Sequence, residues 1–108
     1  MSRISIDGGV AGPTYAVDST NTAACPFAAI KLTDANGRKI KGALMECDIY
    51  TGNAVRYCLG GTSSDQYFGH RLAPGAAVPI EGYANCASVL INSDVDGSAG
   101  KLYITPYY

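Results

Sequence analysis

Turn residues interrupt this chain at intervals of roughly 8 to 12 positions, a spacing that leaves room for short strands and little else. Asp34-Ala35-Asn36-Gly37, Gly52-Asn53, Gly60-Gly61, Pro74-Gly75 and Gly82 are the main breaks. Between them lie candidate strands. Tyr15 to Thr20 alternates, and Cys25 to Thr33 reads as a second strand, with Phe27, Ala29 or Ile30 and Leu32 competing for its inner face. Lys39 to Tyr50 and Ala54 to Leu59 read as a hairpin. Ala77 to Glu81 carries Pro79, which cannot donate to a ladder and so marks an edge strand or a strand start. Ser88 to Asn92 holds the unbroken apolar run Val89-Leu90-Ile91, suited to a strand covered on both sides. In Lys101 to Tyr108, Leu102 and Ile104 alternate with Lys101, Tyr103 and Thr105, as a half-buried strand requires. No window of helical periodicity survives. Seven or eight such strands predict an all-β domain, a single small β-sandwich or jelly roll over residues 14–108. Residues 1–13 contain Gly8-Gly9 and Gly12-Pro13, pair weakly at most, and read as an N-terminal arm, either disordered or docked on a neighbour.

The central hairpin decides what the cysteines can do. A two-residue Gly52-Asn53 loop sets Cys47 opposite Cys58, whereas a three-residue Thr51-Gly52-Asn53 loop pairs Met45 with Leu59, Cys47 with Tyr57 and Ile49 with Val55. The second register sorts apolar from polar residues and sets Asp48 across from Arg56. A one-residue slip would scramble both faces, at about 1.5 to 3 kcal/mol for each apolar side chain turned outward. Cys47 is then expected as a small buried hydrophobe and Cys58 as a separate thiol. Cys25, Cys47, Cys58 and Cys86 follow one another at 22, 11 and 28 residues, with no Cys-x-x-Cys pair and His70 as the one histidine. That pattern argues against a zinc site. With no secretory signal in view, all four thiols are expected reduced.

At 108 residues the chain has the size of one domain, and folding it buries roughly two-thirds of its unfolded surface. Hydrophobic residues make up 47% of it and charged ones only 16%, against roughly a quarter in an average soluble protein. Its surface must therefore be unusually neutral, a composition suited to close contact with other protein. A net charge of −1 offers no footprint for nucleic acid, which calls for clustered Lys and Arg. Arg38, Lys39 and Lys41, the one basic cluster, surround an expected turn. No stretch approaches the ~18 apolar residues of a membrane span, and Met1-Ser2-Arg3 leads into no apolar signal region, so synthesis in the cytoplasm is expected.

Candidate chemistry is sparse. His70, in Phe68-Gly69-His70-Arg71, has the side chain for a base or a ligand, but no nucleophile and orienting group stand with it in a known arrangement. Asp94-Val95-Asp96-Gly97-Ser98 resembles a calcium loop only faintly, lacking the third carboxylate and the bidentate Glu. Gly60-Gly61-Thr62-Ser63-Ser64 is not followed by a Lys or a helix, as a phosphate loop would be. We expect no enzyme, no cofactor and no metal. Eight Tyr and no Trp are more suggestive, because Tyr is favoured where one edge of a side chain is buried and the other is wet.

From about Ala54 onward the chain resembles a type of small virion protein of tailed bacteriophages. The resemblance is carried by Ala54-Val55-Arg56-Tyr57, Gly60-Gly61-Thr62, the run Gly69-His70-Arg71-Leu72-Ala73-Pro74-Gly75, Val89-Leu90-Ile91 and the final strand Leu102 to Tyr108. It implies an accessory virion protein that decorates or cements the capsid shell, with the major capsid protein or other virion proteins as partners. Sites on local symmetry axes make a homotrimer or dimer the expected form. Arg3, Ile4, Ile6, Tyr67, Phe68, His70, Tyr83, Tyr107 and Tyr108 are the expected contact residues. Two alternatives stand beside this reading. One is a neck or baseplate component. The other is a carbohydrate-binding module that uses Tyr67, Phe68 and Tyr83 for stacking beside Asp65, Asn85 and His70.

Overall fold

The computed structural model describes residues 9–20, 23–60, 68–94 and 98–108. Seven strands run through them: β1 (Tyr15–Asp18), β2 (Gly42–Cys47), β3 (Val55–Cys58), β4 (His70–Leu72), β5 (Ala77–Glu81), β6 (Leu90–Ser93) and β7 (Lys101–Tyr107). A 3₁₀ turn, Ala29–Lys31, precedes β2, and one helix, α1 (Tyr83–Ser88), joins β5 to β6. The architecture is all-β, with two antiparallel sheets in the orders β1-β7-β2-β5 and β4-β3-β6. Alternation dictates which side chains go inward. Ala43, Met45 and Cys47 of β2, and Leu102 and Ile104 of β7, point to one face and bury fully. They share a single core with Val55, Leu72 and Ile91 of the smaller sheet.

Strand β7 lies between β1 and β2, although Pro106 removes one of its donors. Tyr15 stands opposite Ile104, whereas Ala11 stands opposite Tyr107, so four residues on one side span three on the other. The extra residue falls around Gly12-Pro13, and this bulge interrupts the ladder beside Pro106, where no donor is available. Upstream, Val10 and Tyr108 exchange both backbone bonds at 2.9 Å, and the Gly12 N–H donates to the Pro106 carbonyl at 2.7 Å. Residues 10–12 of the expected arm are therefore docked on the chain's own last strand. Residues 1–8 lie outside the described residues.

Pro79 also sits where its chemistry allows. The Gly82 N–H donates to the Lys41 carbonyl, and the Cys47 N–H to the Ala76 carbonyl. Those bonds turn the even positions of β5 toward β2 and leave Pro79 facing the open edge. A missing donor there blunts strand-on-strand association.

The expected hairpin between Lys39–Tyr50 and Ala54–Leu59 does not form. Strand β2 pairs with β5 and β7 in the larger sheet, and β3 with β4 and β6 in the smaller one. Residues 48–54 instead carry the chain from one sheet to the other. The Asp48 carboxylate accepts the Tyr50 N–H at 3.3 Å, Gly52 adopts φ 70°, and the Asn53 side chain donates to the Ala99 carbonyl at 3.0 Å. These local bonds end β2 at Cys47 and aim β3 into the second sheet, where Val55 finds Leu72 and Ser93. Arg56 consequently pairs with Asp94 rather than Asp48.

The strand expected over Cys25–Thr33 is also absent. Ala24 exchanges a single pair of bonds with Ile91. Pro26 then denies the next donor, and the chain turns through Ala29–Lys31 with Phe27 buried and Ile30 81% exposed. Thr33 and Lys39 close around the expected turn, where the Asp34 carboxylate accepts the N–H groups of Asn36 and Arg38 and Gly37 has φ 78°. Helix α1, where none was expected, has only six residues, too few for a periodic pattern to register. Gly82, at φ 92°, ends β5, and the Asn85 side chain then ties the helix to the Glu81 carbonyl at 2.8 Å.

Candidate functional site

The β3–β4 hairpin carries a cluster of charged side chains. Arg56 faces Arg71 on one side and Asn92 on the other. Two like charges directly opposite on antiparallel strands repel. Asp94 resolves the conflict by accepting from Arg56 Nε at 2.7 Å and from Arg71 Nε at 3.1 Å. Arg56 also donates to the Gly69 carbonyl at 3.0 Å, tying strand to turn. The hydrogen bond from Arg56, reinforced by Arg71, holds the Asp94 carboxyl below the usual carboxylate range despite some desolvation. The first carboxylate of the run that only faintly resembles a calcium loop is thus engaged by two guanidinium groups. Residues 95–97 lie outside the described residues. Among the described residues, no three His, Cys, Asp or Glu side chains gather as metal ligands.

At the end of the same hairpin an open cavity of about 420 Å³ is lined by Cys58, Leu59, Phe68, Gly69 and His70. Gly69 is required here. It adopts φ 107°, and a Cβ on it would stand 2.8 Å from the Cys58 sulfur and 2.9 Å from the Tyr57 carbonyl oxygen. His70 faces Tyr57 across the strands, with ring centroids 5.3 Å apart and the rings tilted by 38°. Phe68 is 53% exposed at the rim. The cavity offers an apolar wall, one thiol and one imidazole, a lining that receives an apolar side chain from elsewhere more readily than it organises a reaction.

The structure brings together two of the expected contact residues, Phe68 and His70, and scatters others. Tyr83 lies on α1, exposed, with Lys39 Nζ 5.4 Å from its ring centre. Tyr107 is half-buried at the end of β7. Tyr108 corrects the expectation of an outward contact, because it is buried in the chain's own core and its hydroxyl donates to the Lys31 carbonyl at 2.7 Å. Arg3, Ile4, Ile6 and Tyr67 lie outside the described residues, as does Asp65. Of the described residues named for a sugar-stacking surface, Phe68 and His70 line the cavity and Tyr83 and Asn85 do not.

The most exposed apolar side chains fall within segments expected to be strands. Tyr50 is 93% and Ile49 62% exposed at the crossing between the sheets. Ile49 had been expected inside, opposite Val55. The signal against that was the density of turn formers from Asp48 to Asn53, which stops β2 before Ile49 can alternate inward. Ile30, on the 3₁₀ turn, is a third such residue. No helix among the described residues is long and apolar enough to cross a membrane. Compared with protein-family models, curated proteins and solved structures, the chain matches none.

Proposed function

We propose that this chain is a structural protein of a bacteriophage virion, a small β-sandwich that decorates the capsid shell and stabilises it by bridging neighbouring subunits. One observation carries the reading. Tyr50, Ile30 and Ile49 are 93%, 81% and 62% exposed on a chain of which only 16% is charged. Each such group gains roughly 1.5 to 3 kcal/mol when a partner removes it fully from water. A rigid two-sheet domain suits that task, because ordering flexible segments would diminish the gain. The resemblance of residues 54–108 to phage virion proteins supplies the kind of partner, and the cavity beside Phe68 supplies a receptor for an apolar side chain. Placement on local symmetry axes goes with a trimer or dimer of this chain.

Co-sedimentation with capsids of the source particle tests the proposal. The expected result is saturable pelleting that the double substitution Ile49→Ser with Tyr50→Ser weakens at least tenfold while the melting temperature is retained. Absence of pelleting by the folded wild-type chain overturns capsid decoration. Electron microscopy of intact particles that places the chain at the neck or baseplate would assign it to those structures instead.

A further inference from the structure

Nothing in the assembly reading accounts for the placement of the cysteines. All four are free. Cys47 donates to the Asn53 carbonyl at 3.3 Å in the larger sheet, and Cys58 lines the cavity at the end of the smaller one. Cys25 and Cys86 are different. Sixty-one residues apart in the chain, they meet at the C-terminal end of α1. The Cys25 sulfur lies 3.5 Å from the Cys86 carbonyl oxygen, 3.7 Å from that of Ala87 and 3.6 Å from that of Phe27. Cys86 has no exposed surface and points inward, its sulfur 3.7 Å from the Ile80 carbonyl oxygen, whereas Cys25 is half-buried.

We propose that Cys25 and Cys86 form a redox-responsive pair, joined as a disulfide when the chain meets a disulfide oxidant such as oxidised glutathione. The proposal is independent of the assembly role. Its geometry rests on where each thiol is anchored. Cys86 belongs to a helix whose position is set by Gly82 and β6. Cys25 belongs to an irregular segment that touches β6 through the one backbone pair of Ala24 and Ile91. Joining the sulfurs takes a rotamer change at Cys86 and a shift of Cys25 relative to the neighbouring Pro26 and Phe27, which are held by the Tyr15 hydroxyl and by the core. A disulfide tolerates Cα separations of about 4.4 to 6.8 Å.

The chemistry balances in two exchanges. The half-buried Cys25 thiolate attacks oxidised glutathione, forming a protein–glutathione disulfide and releasing one glutathione thiolate. The Cys86 thiolate then attacks the Cys25 sulfur, forming the internal bond and releasing the second glutathione. Two protein thiols are oxidised, one glutathione disulfide is reduced, and the two protons pass to solvent or to the departing thiolates. Burial, with a smaller contribution from Cys25, pushes the Cys86 thiol up to about 12, which makes the second exchange the slow one. The resulting link closes a long loop, tethering the segment before Phe27 to α1, and constrains the unfolded chain accordingly.

The full chain is incubated with oxidised glutathione, its free thiols are counted, and tryptic peptides are mapped by mass spectrometry. The expected result is a fall from four free thiols to two, a linked peptide joining Cys25 to Cys86, and a melting temperature about 5 °C or more higher that a dithiol reductant reverses. Cys25→Ser and Cys86→Ser are each expected to abolish the linked peptide and the shift. Should the fully buried Cys86→Ser fail to fold, Cys25→Ser decides alone. Glutathione that stays on Cys25 without a link, a link through Cys47 or Cys58, or four unreacted thiols overturns the proposal.

Discussion

In the four-stranded sheet the inward positions of the two central strands are Ala43, Met45, Cys47, Leu102 and Ile104, none with exposed surface. In the three-stranded sheet the central strand, β3, sends Val55 inward, while its other face carries Arg56 between Arg71, Asn92 and the bridging Asp94. The larger sheet is held chiefly by apolar packing, which responds little to pH or to electrostatic screening. The smaller sheet adds charge-assisted hydrogen bonds that depend on both. Polar contacts also join the two: the Ser19 and Ser93 hydroxyls lie 3.0 Å apart, and the Gly100 N–H donates to the Ser19 hydroxyl at 2.8 Å. Two sheets of one chain can thus be weakened by different means.

Met45→Ala empties a fully buried position of the larger sheet, and is expected to cost about 2–5 kcal/mol in chemical denaturation. Gly69→Ala attacks the smaller one. It forces a side chain onto φ 107° and against the Cys58 sulfur, and should cost about 2–4 kcal/mol while perturbing the Tyr57 and His70 ring resonances first. A uniform loss of both sheets at the same denaturant concentration would show that they unfold as one unit.

Asp94→Asn should cost less, about 1–2 kcal/mol at neutral pH, since Arg71 is half-exposed and screened. Its pH dependence gives a sharper test. The Asp94 carboxyl titrates lower in the folded chain than the ordinary ~3.9 it has when unfolded. Its stabilisation is therefore complete above that unfolded value and is lost as pH falls through the folded one. The difference in melting temperature between wild type and Asp94→Asn should stay constant from neutrality to about pH 5 and shrink below about pH 4. Met45→Ala should show no such convergence. Smallest of all, Tyr50→Ser is expected to change stability by no more than about 0.5 kcal/mol, because that side chain touches solvent almost everywhere.

What could be read beforehand follows a physical division. Strand β5 was legible to the residue, because Pro74-Gly75 and Gly82 bracket it and Pro79 restricts it to an edge. The last strand was legible through alternation alone. The β2–β3 connection was misread because both segments alternate well enough to be partners, and alternation says which face a residue takes without saying which strand lies beside it. The cavity was half visible: Phe68 and His70 drew notice as an aromatic and a titratable group, but Cys58 and Leu59 had been given to the absent hairpin. Tyr108 was misassigned because an aromatic at a chain end gives no local sign of burial, which here comes from the Lys31 carbonyl and the contact with Gly12.

Composition and turn spacing by themselves determined that this chain is all-β, sparsely charged and built from short strands, since those properties depend on each residue's own preferences and near neighbours. Only the tertiary structure decided that β2 and β3 part company, that Arg56 meets Asp94, and that Cys25 comes to rest beside Cys86. Each of these joins residues far apart in the chain. Their pairing is selected by the shared burial of both sheets, a property of the whole fold that no local stretch of residues contains.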